Sequence, residues 1–208
     1  MGKGCSSCQP LNVTQTAGYR RVLWAVFGIN AVMFLVELVM SYASGSVSLL
    51  ADSLDFLGDA GNYGISLFVL SASLATRAKA SLLKGSTMGL FGAYVFITTG
   101  YRFYLGEMPN YHEMGLVGVL AFIANGLSVW LLFAFRDGDS NMRGVWLCSR
   151  NDMLGNLLVL LAAVAVYITQ SNLPDLLVAL AMVFLAIGSA WAICRQAMEE
   201  LRSVEQAQ

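Results

Sequence analysis

The stretch Ser46-Val-Ser-Leu-Leu-Ala-Asp52-Ser-Leu-Asp55-Phe-Leu-Gly-Asp59-Ala-Gly-Asn62-Tyr-Gly-Ile-Ser66 decides the fold. It lies within an apolar run from about Val47 to Leu70, long enough to cross about 30 Å of hydrocarbon. Yet Asp52, Asp55, Asp59, Asn62 and Ser66 step by three, four, three and four residues. That spacing draws one continuous polar stripe along a helix. A carboxylate at mid-bilayer costs about 2.5–3.5 kcal/mol or more, so such a stripe is expected to face a bundle interior or an aqueous cavity.

Working outward, five further apolar stretches of spanning length appear: about Arg21 to Ala43, Ser86 to Leu105, Met114 to Phe135, Val145 to Ile168 and Leu173 to Ile193. The composition agrees. Of 208 residues, 57% are hydrophobic and only 12% charged, half the charge of an ordinary soluble domain. The expected fold is an all-α membrane protein, a bundle of six transmembrane helices over residues 20–195. Polar tails at 1–19 and 196–208 flank it. The first 19 residues lack the apolar core of a secretory signal, so the first span is expected to stay in the membrane. A formal net charge of -1 argues against a nucleic-acid partner. The short tail after span six is too small to hold a core of its own.

Ten of the twelve basic residues fall on one side of this arrangement: Lys3, Arg20, Arg21, Arg77, Lys79, Lys84, Arg136, Arg143, Arg195 and Arg202. The first three precede span one, and Arg77, Lys79 and Lys84 are expected in the loop between spans two and three. Arg102 falls on the other side and Arg150 inside span five. The positive-inside rule then makes both termini cytoplasmic. The connection from Gly106 to His112 reads as an outward-facing turn, with His112 a solvated loop residue.

Span five repeats the acidic pattern. Cys148, Asp152 and Asn156 step by four, while Arg150 points away from that face. Asp55 and Asp59 lie about 12–18 Å in from the outer side, and Cys148 and Asp152 about 8–14 Å in from the cytoplasmic side, at 1.5 Å per residue. Two i,i+4 pairs entering from opposite faces can meet near the midplane. Their four side chains suit a tetrahedral ion such as Zn²⁺. The alternative is that the carboxyls merely make interhelical hydrogen bonds. Two acids one turn apart repel, however, unless a cation is shared between them. Asp52, nearer the outer end, is a lesser metal candidate. Glu37 and Asn30 share a face of span one, and Asn125 is the lone amide of span four. The tail motif Cys5-Ser-Ser-Cys8 can hold a soft metal or form a redox pair, or be two incidental thiols.

Together these features resemble the cation diffusion facilitator family of metal/proton antiporters. The resemblance covers about Arg20 to Arg195. It rests on the Ser-rich entry and Leu-Leu-Ala-Asp52, on Asp55 and Asp59, on Asn30, Glu37 and Asn125, on Asp152, and on the Leu173-Pro-Asp175 opening of span six. It implies an efflux transporter for divalent transition metals, Zn²⁺ first and Cd²⁺ also. Metal is then cargo rather than cofactor, protons are the counter-ion, and the protein is not an enzyme. It would be multi-pass in the plasma membrane and a homodimer. The metal set would be Asp55, Asp59, Cys148 and Asp152.

Two departures from the family pattern stand out. Where the family's fifth helix has His-x-x-x-Asp, this chain has Cys148-Ser-Arg-Asn-Asp152. A thiolate favours Zn²⁺ and Cd²⁺ over Mn²⁺; otherwise Asn151 or water fills the position. The family's cytoplasmic C-terminal domain is expected to be absent, leaving any dimer to the membrane helices. Cys5 and Cys8 would then catch metal near the cytoplasmic mouth. Competing classes are a non-transporting metal-binding subunit and a membrane-embedded metalloenzyme. No HExxH or GxSxG supports the latter.

Overall fold

The computed structural model describes residues 17–65, 67, 73–135 and 140–206; within the last segment, side chains at 140–148, 150, 151 and 205 lie outside the described set. Six helices run through the described residues: α1 (Ala17–Ser44), α2 (Val47–Gly64), α3 (Leu74–Leu105), α4 (Tyr111–Phe133), α5 (Ser140–Thr169) and α6 (Leu173–Gln206). Five of them are long and apolar enough to cross a membrane; α2, with three aspartates in 18 residues, is the exception. The protein is a multi-pass, all-α membrane protein. Leu90, Ile97, Leu185 and Trp191 are each more than two-thirds exposed, a surface suited to lipid rather than water.

The helix ends are set by local chemistry. Gly45 (φ +72°) turns the chain between α1 and α2, and Gly106 (φ +68°) closes α3 in the left-handed region that glycine adopts without strain. Ser73 and Asn110 cap α3 and α4: Thr76 N–H donates to Ser73 Oγ at 3.3 Å, and His112 N–H to Asn110 Oδ1 at 3.1 Å. His112 is therefore in the first turn of α4, not in the preceding connection, and it is exposed.

Two boundaries differ more from the sequence reading. The third helix begins at Leu74 rather than near Ser86, so Arg77, Lys79 and Lys84 are helical residues and not loop residues. Apolar length marks where hydrocarbon ends, but helical hydrogen bonding continues into water wherever a cap and good helix formers permit. In the same way α6 runs on to Gln206, where Arg195–Glu199 (2.9 Å) and Gln196–Glu200 (3.0 Å) pair across single turns.

Helix α2 is the axis of the bundle. It packs against all five other helices, and every residue from Val47 to Leu54 is buried. α1 lies along α2 and α4, α4 lies along α5, and α3 pairs with α6. The α3–α6 seam is built on small residues. A Cβ on Gly85 would stand 2.7 Å from Cys194 Sγ, and one on Gly92 would stand 3.0 Å from Ile187 Cγ1. Close backbone approach of this kind drives association in lipid, where apolar burial alone contributes little.

Candidate functional site

The polar stripe of α2 faces inward. Asp52 is buried, while Asp55 and Asp59 are half-buried. Across from them α5 presents Asp152, half-buried, and Asn156, fully buried. The Asp59 and Asp152 carboxyls lie within hydrogen-bonding reach of each other. Asp55 Oδ2 approaches α5 at Gly155, 3.9 Å from where a Cβ would stand. α2 and α5 thus bring three of the four expected ligand positions to one seam. Among the described residues, no three Asp, Glu, His or Cys side chains gather closely enough to hold an ion at once. Cys148 has its backbone in α5, one turn before Asp152, but its side chain lies outside the described residues, as does that of Asn151. Cys5 and Cys8 also lie outside them.

Two residues beside the polar stripe of α2 escaped the sequence reading. The Tyr63 hydroxyl donates to Asp59 Oδ2 at 3.3 Å and hydrogen-bonds Ser149 Oγ of α5 at 2.8 Å, bridging the helices beside the carboxylates. Tyr63 stands four residues beyond Asp59, so extending the i,i+4 step would have found it. A second miss is Lys84, whose ammonium donates to Asn62 Oδ1 of the stripe.

A second acidic contact lies further along the bundle. Glu37 of α1 adjoins Asp52 of α2. Both are fully buried, and beyond each other the Glu37 oxygens and Asp52 Oδ2 have no hydrogen-bond partner. The side-chain oxygens of Asn30, Asn125 and Asn156, all buried, are likewise without one. The interior formed by α1, α2, α4 and α5 is polar and only partly self-satisfied, an arrangement usually reserved for ion or proton pathways.

The end of the bundle where α2 begins is closed by hydrogen bonds. Asp175, in the first turn of α6, accepts from Ser46 and from the first amides of α2. Asn110 N–H donates to Ser44 O at 2.7 Å, and Arg102 pairs with Glu107 at 2.7 Å beside Gly45.

The fold and this interior define a multi-pass membrane protein with acidic groups facing one another inside the bundle. Residues 23–202 match the cation efflux transmembrane domain, and the chain belongs to the cation efflux family. The zinc transporter ZitB of Pectobacterium atrosepticum is 26% identical over 201 residues, covering 90% of this chain and 62% of that protein. The zinc transporter ZitB of Escherichia coli (strain K12) is 30% identical over 198 residues, covering 88% and 62%. The cadmium, cobalt and zinc/H(+)-K(+) antiporter of Bacillus subtilis is 22% identical over 198 residues, covering 88% and 63%. The chain thus spans less than two thirds of the length of these relatives.

Proposed function

We propose that this protein exports a divalent transition-metal ion, Zn²⁺ first and Cd²⁺ also, in exchange for protons, through one site near the bilayer midplane. The observation that carries the reading is the approach of Asp59 to Asp152 between α2 and α5. Two neighbouring ionised carboxylates repel unless a cation lies between them. Asp55 and Cys148 complete a donor set of three oxygens and one sulfur, suited to a tetrahedral soft ion. Asp52 lies one turn nearer the opposite end and is the lesser candidate.

The ligands bind metal only when deprotonated, so metal and protons compete for the same atoms. Metal loading from the cytoplasm releases protons, protons arriving from outside displace the metal, and the protonated carrier resets. The basic residues at the start of α1 and α3 and the end of α6 support a cytoplasmic location for that end. A plasma-membrane homodimer held through its membrane helices, with Cys5 and Cys8 capturing metal at the cytoplasmic mouth, completes the reading. The similarity to zinc transporters and to a cadmium, cobalt and zinc antiporter supports the ion class.

The test is Zn²⁺ uptake by the purified protein alone in liposomes carrying a pH dye. Uptake with opposed proton movement supports the proposal. Binding without uptake would make the protein a non-transporting metal-binding subunit instead.

A further inference from the structure

Lys84 lies ten residues into α3, about 15 Å along the helix at 1.5 Å per residue. It is half-buried. Its stem runs over Gly61 of α2, where an added Cβ would stand 3.2 Å from both Lys84 Cγ and Cδ. A side chain at position 61 would press on the stem; glycine leaves it room. On its other side the stem lines an apolar cavity of about 510 Å³ between α1, α2 and α3, with Phe27, Ala31, Leu57 and Met88. The ammonium is thus carried past an apolar wall to the polar stripe. There it donates to Asn62 Oδ1, three residues beyond Asp59 on the same inward face of α2. A neutral side chain could satisfy Asn62 equally well. Lys84 stands two residues before the apolar run that begins near Ser86, where its charge faces the neighbouring end of the polar stripe.

We infer that Lys84 is a tethered cation that sets the metal affinity of the Asp59–Asp152 site by competing with the incoming divalent ion for the same negative field. The inference rests on the transport reading. A fixed positive charge beside the carboxylates stabilises them while no metal is bound and repels a metal as it enters. It therefore weakens binding, which suits a carrier that must also release its cargo. Lys84 is an affinity-determining residue under this reading, not a ligand.

The test compares Zn²⁺ binding by the full chain in detergent, followed by titration calorimetry, with the KM for Zn²⁺ uptake in liposomes. Lys84→Gln keeps an amide donor for Asn62 and removes the charge. Both Kd and KM are expected to fall at least tenfold, while Lys84→Arg stays within about twofold of the unaltered protein. A purely structural lysine would instead give a raised or unchanged Kd in Lys84→Gln, and that result overturns the inference. If Lys84→Gln is not recovered folded, Lys84→Met, which keeps a stem against the apolar wall, carries the same expectation and the same refutation. Unaltered protein that binds Zn²⁺ without transporting it refutes the transport reading alone, and the Kd comparison still decides the role of Lys84. Absence of Zn²⁺ binding by the unaltered protein overturns both.

Discussion

The Ser46 hydroxyl donates to Asp175 Oδ1 at 2.7 Å, tying the start of α2 to the first turn of α6 across 129 residues of sequence. The same carboxylate accepts the amides of Val47 (2.9 Å) and Ser48 (3.1 Å), while Ser46 Oγ accepts that of Leu49 (3.2 Å). The amides that a helix start leaves unpaired are therefore satisfied by one acid and one hydroxyl, with the negative charge at the positive end of the helix dipole. Asp175→Ala is expected to destabilise the protein by about 1–3 kcal/mol, the cost of leaving buried donors unpaired. A lowered melting temperature in detergent checks this; an unchanged one would show that the cap is idle.

The α3–α6 seam gives a second stability prediction. An added Cβ at Gly85 meets Cys194 Sγ at 2.7 Å, Ile193 Cγ2 at 3.1 Å and the Ala190 carbonyl oxygen at 3.2 Å. Gly85→Ala is expected to cost about 1–3 kcal/mol through overpacking. At Gly28 nothing lies within 4 Å of the added atom, so Gly28→Ala is expected to be neutral or to gain up to about 1 kcal/mol. Thermal unfolding of the two variants side by side tests the contrast, and equal effects would contradict it.

Tyr63 gives a prediction at the site. Tyr63→Phe removes the hydroxyl shared by Asp59 and Ser149 and keeps the ring in its buried place. Loss of one hydrogen bond of about 0.5–1.5 kcal/mol corresponds to a rise in the KM for Zn²⁺ of roughly two- to tenfold. Initial uptake rates against Zn²⁺ concentration measure it. An unaltered KM would mean that the hydroxyl does not hold Asp59 for binding.

The fourth ligand position is tested by selectivity. With Cys148→His the soft thiolate is replaced by imidazole, so transport of Cd²⁺ relative to Zn²⁺ is expected to fall. Competition uptake with both ions gives the ratio. A ratio that does not move would show that the thiolate is not what chooses the ion.

Much of this was legible in the chain itself. Six apolar stretches of spanning length foretold six helices, because membrane solvation forces each span to be helical. The three-four-three step of Asp52, Asp55, Asp59 and Asn62 foretold which face of α2 turns inward; Ser66, the next in the step, lies outside the described residues. The contact between Asp59 and Asp152 followed from depth along two oppositely entering helices. Other features were not legible, for physical reasons. Lys84 looked like a loop residue because charge was read as the end of the helix, whereas α3 begins ten residues earlier and Gly61 leaves room for the lysine stem to lie along α2. Asp175 looked like part of a helix-opening motif; its partners at Ser46 and Val47 depend on how two helix ends meet, which no local spacing encodes. Glu37 was visible as an acid well inside its span and Asp52 as one nearer the outer end, but their contact depends on the packing of α1 along α2.

The central claim is that Asp59 and Asp152 together hold the transported ion. Zn²⁺-dependent proton flux in liposomes, compared among the unaltered chain, Asp59→Ala and Asp152→Ala, tests it most directly. Each substitution is predicted to abolish the flux while the protein remains folded in detergent. Full flux retained in both variants would contradict the assignment.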